Sequence, residues 1–215
     1  MSDSASHKIE EILKFWFGHI PGRTLSRRGA RQILRRLPMW AGNWGRRLFD
    51  VDREIRLRFG EDLRRAEAGA YDNWAATPTG RLALLLLLDQ FSRNIHRGTP
   101  AAFANDEKSL RLALEALDQG DDKLFYPVVR SFFYLPLEHQ EDIVYQDRAV
   151  AAFSDAVRDA GRGLQCAILM AERFSAGRHR EAIQRFGRFP HRNRILGRTS
   201  SVAELRFLRQ PFTRF

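Results

Sequence analysis

A run of seven residues without a polar side chain, Leu82 to Leu88, constrains the fold of this chain more than any other feature. Thr77 and Pro78 precede it, and this pair is typical of a helix N-cap followed by the first helical residue. A helix that is apolar on every side is buried on every side. The sequence therefore predicts a central buried helix that starts at Pro78 and gives way to polar residues at Asp89.

Elsewhere, apolar residues recur at the three- and four-residue spacing of amphipathic helices, and no segment alternates long enough to predict a strand. Short turns separate these segments, so we expect an all-α fold of about nine or ten helices in antiparallel hairpins. We expect a single domain over residues 1–215, with a basic segment at 20–47 and a short tail at 211–215.

Proline and glycine predict several helix boundaries. A basic helix over Leu25–Leu37 is expected to stop at Pro38. Thr99–Pro100 repeats the earlier start signal and is expected to open another helix. Pro136 is expected to interrupt an aromatic segment, and Gly177 to end a helix.

The formal net charge of +10 is concentrated in two regions. Ile20 to Arg65 holds 13 arginines and five acids, and Arg178 to Arg198 holds seven arginines and one acid. Such regions attract nucleic acid, anionic membranes or acidic ligands. Arginine-heavy coding is the alternative explanation, because 32 of the 36 basic residues are arginine. We attribute the first region mainly to that bias, and the second to function.

The N-terminal residues do not resemble a secretory signal, because acids lie near the start and no basic run precedes an apolar stretch. The longest apolar run, Leu82 to Leu88, is far shorter than the roughly 20 residues that span a bilayer. We therefore expect a cytoplasmic protein without a transmembrane segment.

The segment Arg185 to Arg198 combines five arginines with His191, Asn193 and two glycines. Guanidinium groups bind carboxylate and phosphate through paired hydrogen bonds, and amide groups add orientation. This composition predicts a site for an anionic group. The alternative interpretation is that these arginines pair with the protein's own acids, for which Asp89, Glu138, Glu141 and Asp142 are available.

Two further polar clusters accompany it. Asp89 to Asn94 follows the buried run, and we expect its side chains to face a cavity or a polar network. In Glu138 to Asp142 a histidine lies between carboxylates, an arrangement that can transfer protons. A mixed histidine–carboxylate metal site is conceivable, but no HExxH or CxxC pattern is present. There is also no P-loop, GxGxxG, GxSxG or kinase signature, so we predict neither a metal nor another cofactor.

Several motifs together resemble a bacterial family catalogued as domain of unknown function 924. They include FWFG at 15–18, LDQFSRNI at 88–95, RGTP at 97–100, YLPLEHQED at 134–142 and RFGRFPHRN at 185–193. The resemblance covers most of the chain and implies an all-α, tetratricopeptide-like array, but no activity. Ser92 stands where the family usually has proline, and Arg23 to Arg47 is longer and more arginine-rich than the family's linker, which makes 20–47 a variable segment.

Three hypotheses for function follow, and the oligomeric state stays open. The first is a binding protein for a small anionic ligand, either a phosphate- or carboxylate-bearing metabolite or a peptide end. The second is an enzyme that uses a histidine with a carboxylate for acid–base chemistry. The third is a module that binds protein or nucleic acid through the first basic region. The predicted ligand-binding residues are Gln90, Arg93, Asn94, His179, Arg185, Arg188, His191, Arg192 and Asn193, and the candidate catalytic residues are His139, His191, Glu138 and Asp89.

Overall fold

The structure is a computed structural model that describes residues 3–40 and 48–213. Within these ranges it is helical and contains no strand, which confirms the all-α prediction. Single turns of 3-10 helix connect several of the α-helices. The α-helices are α1 Asp3–Phe17, α2 Arg27–Trp40, α3 Leu48–Glu67, α4 Pro78–Leu85, α5 Ser92–Ile95, α6 Asp106–Gln119, α7 Pro127–Glu138, α8 Ile143–Ala160, α9 Leu164–Phe186 and α10 Val202–Phe207.

The predicted central helix is confirmed. Thr77 is its N-cap, and the Thr77 side chain accepts a hydrogen bond from the backbone N–H of Gly80 at 3.2 Å. The leucines that follow are buried in the main hydrophobic core. Helices α1, α3, α6 and α7 pack around this central element, so it fixes the positions of the polar groups at its far end.

The polar residues that the sequence predicts from Asp89 onward still belong to the helical element. It continues through a π-helical segment, Leu86–Phe91, and then through α5 to Ile95. A π-helical turn inserts an extra residue into the helical repeat and is frequent at functional sites. Here the inserted turn carries Asp89 and Gln90.

Three predicted helix boundaries are wrong. Pro38 and Pro136 lie inside the last turns of α2 and α7, where a proline disturbs few of the helical hydrogen bonds. Gly177 lies inside α9, which is one continuous helix of 23 residues. Gly177 is exposed, and a glycine without a left-handed conformation only lowers helix propensity.

The second start signal also differs from expectation. Thr99–Pro100 opens a 3-10 turn, Pro100–Phe103, and α6 begins later, at Asp106. The Thr99 hydroxyl donates to the backbone oxygen of His96 at 2.7 Å. A hydroxyl used in this way does not cap the following turn, so the helix starts elsewhere.

The C-terminal third of the chain is a layer of long helices. Helices α7, α8 and α9 pack against one another, with short connections between consecutive helices, as expected of antiparallel neighbours. Beyond α9 a small second cluster of apolar side chains forms.

The single domain and the tetratricopeptide-like arrangement stay predictions. Residues 41–47 and 214–215, at the ends of the predicted basic segment and tail, lie outside the described residues. No helix of the described part is long and apolar enough to cross a membrane.

Candidate functional site

The π-helical segment brings Asp89 against His139, which lies just beyond the end of α7. Nδ1 of His139 is 2.7 Å from Oδ1 of Asp89. The other oxygen of Asp89 accepts a hydrogen bond from the side-chain amide of Gln90 at 2.7 Å. Asp89 is only 2 % exposed. The carboxylate is therefore buried and held from both sides.

The surroundings determine the protonation of this pair. Burial lowers the pKa of His139, and the charge of Arg93 lowers it further. Burial alone would raise the pKa of Asp89, but His139 and Arg93 outweigh burial and hold that pKa below its usual range. We infer a neutral imidazole that donates its Nδ1–H to an ionised carboxylate. That tautomer leaves Nε2 of His139 as an acceptor.

His139 is the more exposed member of the pair, since the side chain of Asp89 is 3% exposed. The side chain of His139 is 14 % exposed, and among the described residues no hydrogen-bond partner of Nε2 is found. A histidine fixed at one nitrogen by a buried carboxylate and open at the other can accept a proton or a hydrogen bond from a ligand.

Two guanidinium groups lie beside this pair and share the carboxylate of Asp106, and Arg93 also contacts Oδ1 of Asp89 at 3.3 Å. Arg93 and Arg192 contact different oxygens of Asp106, at 2.7 and 3.1 Å. Arg192 also donates to the backbone oxygen of His139 at 2.9 Å. Its guanidinium lies 4.4 Å from the ring centre of Phe103 and 4.7 Å from that of Phe189. These contacts join α5, α6, α7 and the 190–192 turn into one polar network.

Burial and neighbouring charges shift the pKa values of Arg192 and His191 in this network. Burial, and then the charge of Arg93, lower the pKa of Arg192 to about 10 although Asp106 raises it. Burial, and then the charge of Arg192, lower the pKa of His191 to about 2. His191 is therefore neutral at physiological pH, and an added anion would relieve the repulsion between the two arginines.

A second carboxylate–histidine pair lies deeper. Oε1 of Glu138 is 2.7 Å from Nδ1 of His179, and the Ser175 hydroxyl donates to the same oxygen at 3.1 Å. Both Glu138 and His179 are buried. Glu138 therefore pairs with His179 and not with its sequence neighbour His139, whose ring centre is 6.4 Å from that of His179.

The arginines that attracted attention in the sequence are mostly paired with the protein's own acids. Helix α9 ends at Phe186, so Arg185 and Arg188 do not share a helical face. Arg185 contacts Glu181 at 3.0 Å, Arg188 contacts Glu204 at 2.7 Å, and Arg198 contacts Glu141 at 2.7 Å. The contacts match the alternative interpretation weighed from the sequence.

Two asparagines among the predicted ligand-binding residues point away from the network. The Asn94 amide donates to Asp52 of α3 at 2.8 Å. The Asn193 amide donates to the Ser200 hydroxyl at 3.0 Å, and Asn193 is fully buried. Both side chains are therefore engaged in holding neighbouring segments together.

The structure thus brings together Gln90, Arg93, His139, His191 and Arg192, with His179 and Glu138 behind them. We call the first five residues, with Asp89 and Asp106, the His139 site. Sequence reasoning missed Asp106, Phe103 and Phe189. Asp106 is 86 positions from Arg192, and no local pattern links the two.

Two surface hollows lie elsewhere, along α1. One is bordered by His7 and Glu54, the other by Lys8 and Tyr71. Neither hollow includes a residue of the His139 site. Within the described ranges, no group of three or more His, Cys, Asp or Glu side chains is arranged to hold a metal ion.

Comparisons with known proteins place these observations in a family. The family model described as "Bacterial protein of unknown function (DUF924)" matches residues 12–212. A solved structure of a protein of unknown function from Agrobacterium tumefaciens is similar, with a TM-score of 0.72 and 32% sequence identity. The match covers 96% of this chain and 98% of that one. A search of curated proteins gives no match.

Proposed function

This chain belongs to the family of bacterial proteins of unknown function DUF924, and from that premise we propose that it binds a small anionic ligand at the His139 site. The ligand is a metabolite or peptide end that carries a phosphate or carboxylate. The observation that carries the proposal is His139, whose Nδ1 is held by Asp89, beside two guanidinium groups that share Asp106, of which Arg93 also contacts Asp89.

The position of Arg93 supports an anionic ligand. Its side chain is 19% exposed, more than that of Arg192 at 7%, so Arg93 is the guanidinium that a ligand reaches. Nearby Gln90 and His191 are partly exposed polar groups. Burial, and after it the charge of neighbouring arginines, depresses the pKa values of Arg192 and His191, and an anion held by Arg93 would compensate part of that charge.

Other arginines of the Arg185–Arg198 segment have a structural role in this proposal and do not bind the ligand. Arg185, Arg188 and Arg198 are engaged by glutamates, so in this proposal they hold the C-terminal turns and do not touch the ligand. The proposed ligand-binding residues are therefore Gln90, Arg93, His191 and Arg192 from the predicted set, together with His139, which the sequence offered as a catalytic candidate.

A thermal-shift screen with inorganic phosphate, phosphorylated metabolites, nucleotides and dicarboxylates tests the proposal. A ligand at 100 times its Kd stabilises the native state by about 2.7 kcal/mol, which raises the Tm of a chain of this size by roughly 5–10 °C. The informative variant is His139→Asn, because the asparagine amide can still donate to Asp89 while Nε2 is removed. His7→Asn, at an exposed histidine of α1, is the matched control.

We expect the shift in wild type and in His7→Asn, and its loss in His139→Asn and Arg93→Gln. A shift that survives in both His139→Asn and Arg93→Gln assigns the ligand to another surface and contradicts the proposal. Absence of any shift across the panel counts against an anionic ligand.

Acid–base catalysis at the same site is a second candidate function, and the 2.7 Å contact between Asp89 and His139 favours it. A neutral imidazole oriented by a buried carboxylate is suited to accept a proton from a bound substrate. Turnover of a ligand found in the screen would distinguish catalysis from binding. The rate should then follow the ionisation of His139 and be lost in His139→Asn while weak binding remains.

A further inference from the structure

The outward face of α2 carries four exposed arginines, Arg27, Arg28, Arg31 and Arg35. We call these four side chains the α2 arginine face. We propose that the α2 arginine face binds the phosphate backbone of nucleic acid, without reading its sequence. This activity is separate from the His139 site and does not depend on it.

The charge of the α2 arginine face is not neutralised locally. Residues 20–49 contain eight arginines and no aspartate or glutamate. Within residues 3–40 and 48–213, none of the four arginines takes part in an ion pair. In contrast, Arg65, Arg111 and Arg185 each contact a glutamate four residues away on the same helix. An arginine-heavy composition explains many arginines, but it does not explain the absence of acids from a stretch of 30 residues.

The helix presents these side chains together. At a rise of about 1.5 Å per residue, Arg27, Arg31 and Arg35 follow one another in steps of about 6 Å along one side, with Arg28 beside them. The opposite side of α2 is anchored in the core through Ile33, which is fully buried. The indole N–H of Trp40 donates to the backbone oxygen of Trp16 at 3.2 Å. The arginines therefore stand on a packed helix and not on a loose tail.

The direction of the apolar side favours nucleic acid over a membrane surface. A helix that binds a bilayer inserts a free apolar face below the headgroups. Here the apolar face of α2 packs inward against the protein, and Leu34 is the large hydrophobic residue exposed on this helix, at 49%. What remains outside is a row of guanidinium groups, which bind phosphate oxygens through paired hydrogen bonds. Duplex DNA offers one negative charge per about 1.7 Å of its axis.

The test compares two triple variants of equal charge. Arg27→Gln, Arg31→Gln and Arg35→Gln together remove three charges from the α2 arginine face. Arg64→Gln, Arg65→Gln and Arg111→Gln together remove three exposed, ion-paired arginines from other helices. Binding of a fluorescein-labelled 20-mer single strand, and of its duplex, is measured by anisotropy as a function of salt. Circular dichroism and the Tm establish that both variants are folded.

We expect wild type to bind both oligonucleotides at low salt, with a Kd that rises steeply as salt is added. The α2 variant should bind at least about tenfold more weakly, and its log–log salt slope should be smaller by about 2 for the single strand, at about 0.7 per lost phosphate contact. The other triple variant should stay within about twofold of wild type.

Three results would overturn the proposal. Equal weakening in both triple variants would mean that binding follows net charge and not the α2 arginine face. No binding of either oligonucleotide by wild type at 50 mM salt would exclude the activity. Binding of phosphatidylserine vesicles, with loss in the α2 variant and no oligonucleotide binding, would identify the partner as a membrane surface instead.

Discussion

Asp89 and His139 lie 50 positions apart in the chain, yet Oδ1 of one and Nδ1 of the other are 2.7 Å apart. The π-helical segment Leu86–Phe91 and the end of α7 meet at this contact. Because both groups are largely buried, neither solvent nor a mobile side chain replaces the partner. The contact therefore decides the tautomer of the imidazole and the direction in which its second nitrogen points.

Replacing Asp89 with asparagine should destabilise the protein by about 2–3 kcal/mol, since a hydrogen bond between a charged and a neutral buried group is lost. Nitrogen-15 NMR of the imidazoles should show the Nδ1–H tautomer of His139 in wild type and a mixture in the variant. Asp147→Asn, at an exposed acid that contacts Arg180, should change the unfolding free energy by less than about 1 kcal/mol. An unchanged tautomer in Asp89→Asn would show that another group orients the ring.

Arg192→Met should be considerably more damaging than Arg185→Met. Arg192 is buried, and its removal leaves Asp106 with Arg93 alone and the backbone oxygen of His139 without its donor. We expect a loss of about 2–4 kcal/mol for Arg192→Met. Arg185 is 44% exposed, and its loss should cost less than about 1 kcal/mol. Urea unfolding of the two variants measures both, and equal losses would mean that Arg192 is not part of a cohesive network.

The stability of the protein should fall on acidification through His191. Burial lowers its folded pKa to about 2, below the unfolded value of about 6.5. The unfolded state therefore binds a proton that the folded state does not, and stability decreases as the pH falls below about 6.5, by up to about 1.4 kcal/mol per pH unit. His191→Gln lacks this proton uptake, so the stability of the variant relative to wild type should increase as the pH is lowered from 6.5 to 5. A constant difference across that range would show that His191 titrates normally.

The contribution of Glu172 to the stability of the folded protein should depend on pH in the opposite direction. Its Oε2 is buried, with no hydrogen-bond partner among the described residues. Burial, with a smaller contribution from the charge of nearby Glu138, raises the pKa of Glu172 to about 8, although Ser131 lowers it. The folded state then keeps a proton that the unfolded chain releases above about pH 4.3, so stability falls as the pH rises toward 8.

Glu172→Gln is the corresponding test, because a glutamine has no proton to release. Its stability relative to wild type should rise with pH between about 4.5 and 8, by up to about 1.4 kcal/mol per pH unit. Urea unfolding at pH 5, 6, 7 and 8 gives the difference directly. A difference that does not grow with pH would mean that Glu172 is ionised in the native protein at pH 7.

Local signals in the sequence predicted local structure well. Thr77 caps α4, and Ser201 and Glu204, which are three positions apart, form a capping box at the start of α10. Both motifs are satisfied within a few residues of the chain. Pro38 and Gly177 did not end their helices. Pro38 lies near the end of α2 and Gly177 on an exposed side of α9, and the stability lost at each residue is smaller than the stability that packing of the helix contributes.

The residue types in the sequence located the candidate site, but they did not predict which side chains pair with each other in it. The sequence left both Glu138 and Asp89 open as carboxylate partners of a histidine, because the direction of each side chain depends on its place on a helix. Glu138 reaches His179 of α9, and His139 reaches Asp89 of the central helix. These partners depend on how three helices cross, which the sequence of any one of them does not contain.

Gly80 shows how closely the start of the central helix approaches the preceding turn. A Cβ at this position would lie 2.3 Å from the backbone oxygen of Trp74, far inside a van der Waals contact and against backbone that cannot rotate away. Gly80→Ala should therefore destabilise the protein by at least about 2 kcal/mol.

Gly60→Ala is the matched control. Gly60 lies within α3, and a Cβ there meets no atom within 4 Å, so alanine should leave stability unchanged or raise it by about 0.5–1 kcal/mol. Unfolding free energies of the two variants decide the point, because a tolerated Gly80→Ala would mean that the 72–76 turn can move away from α4.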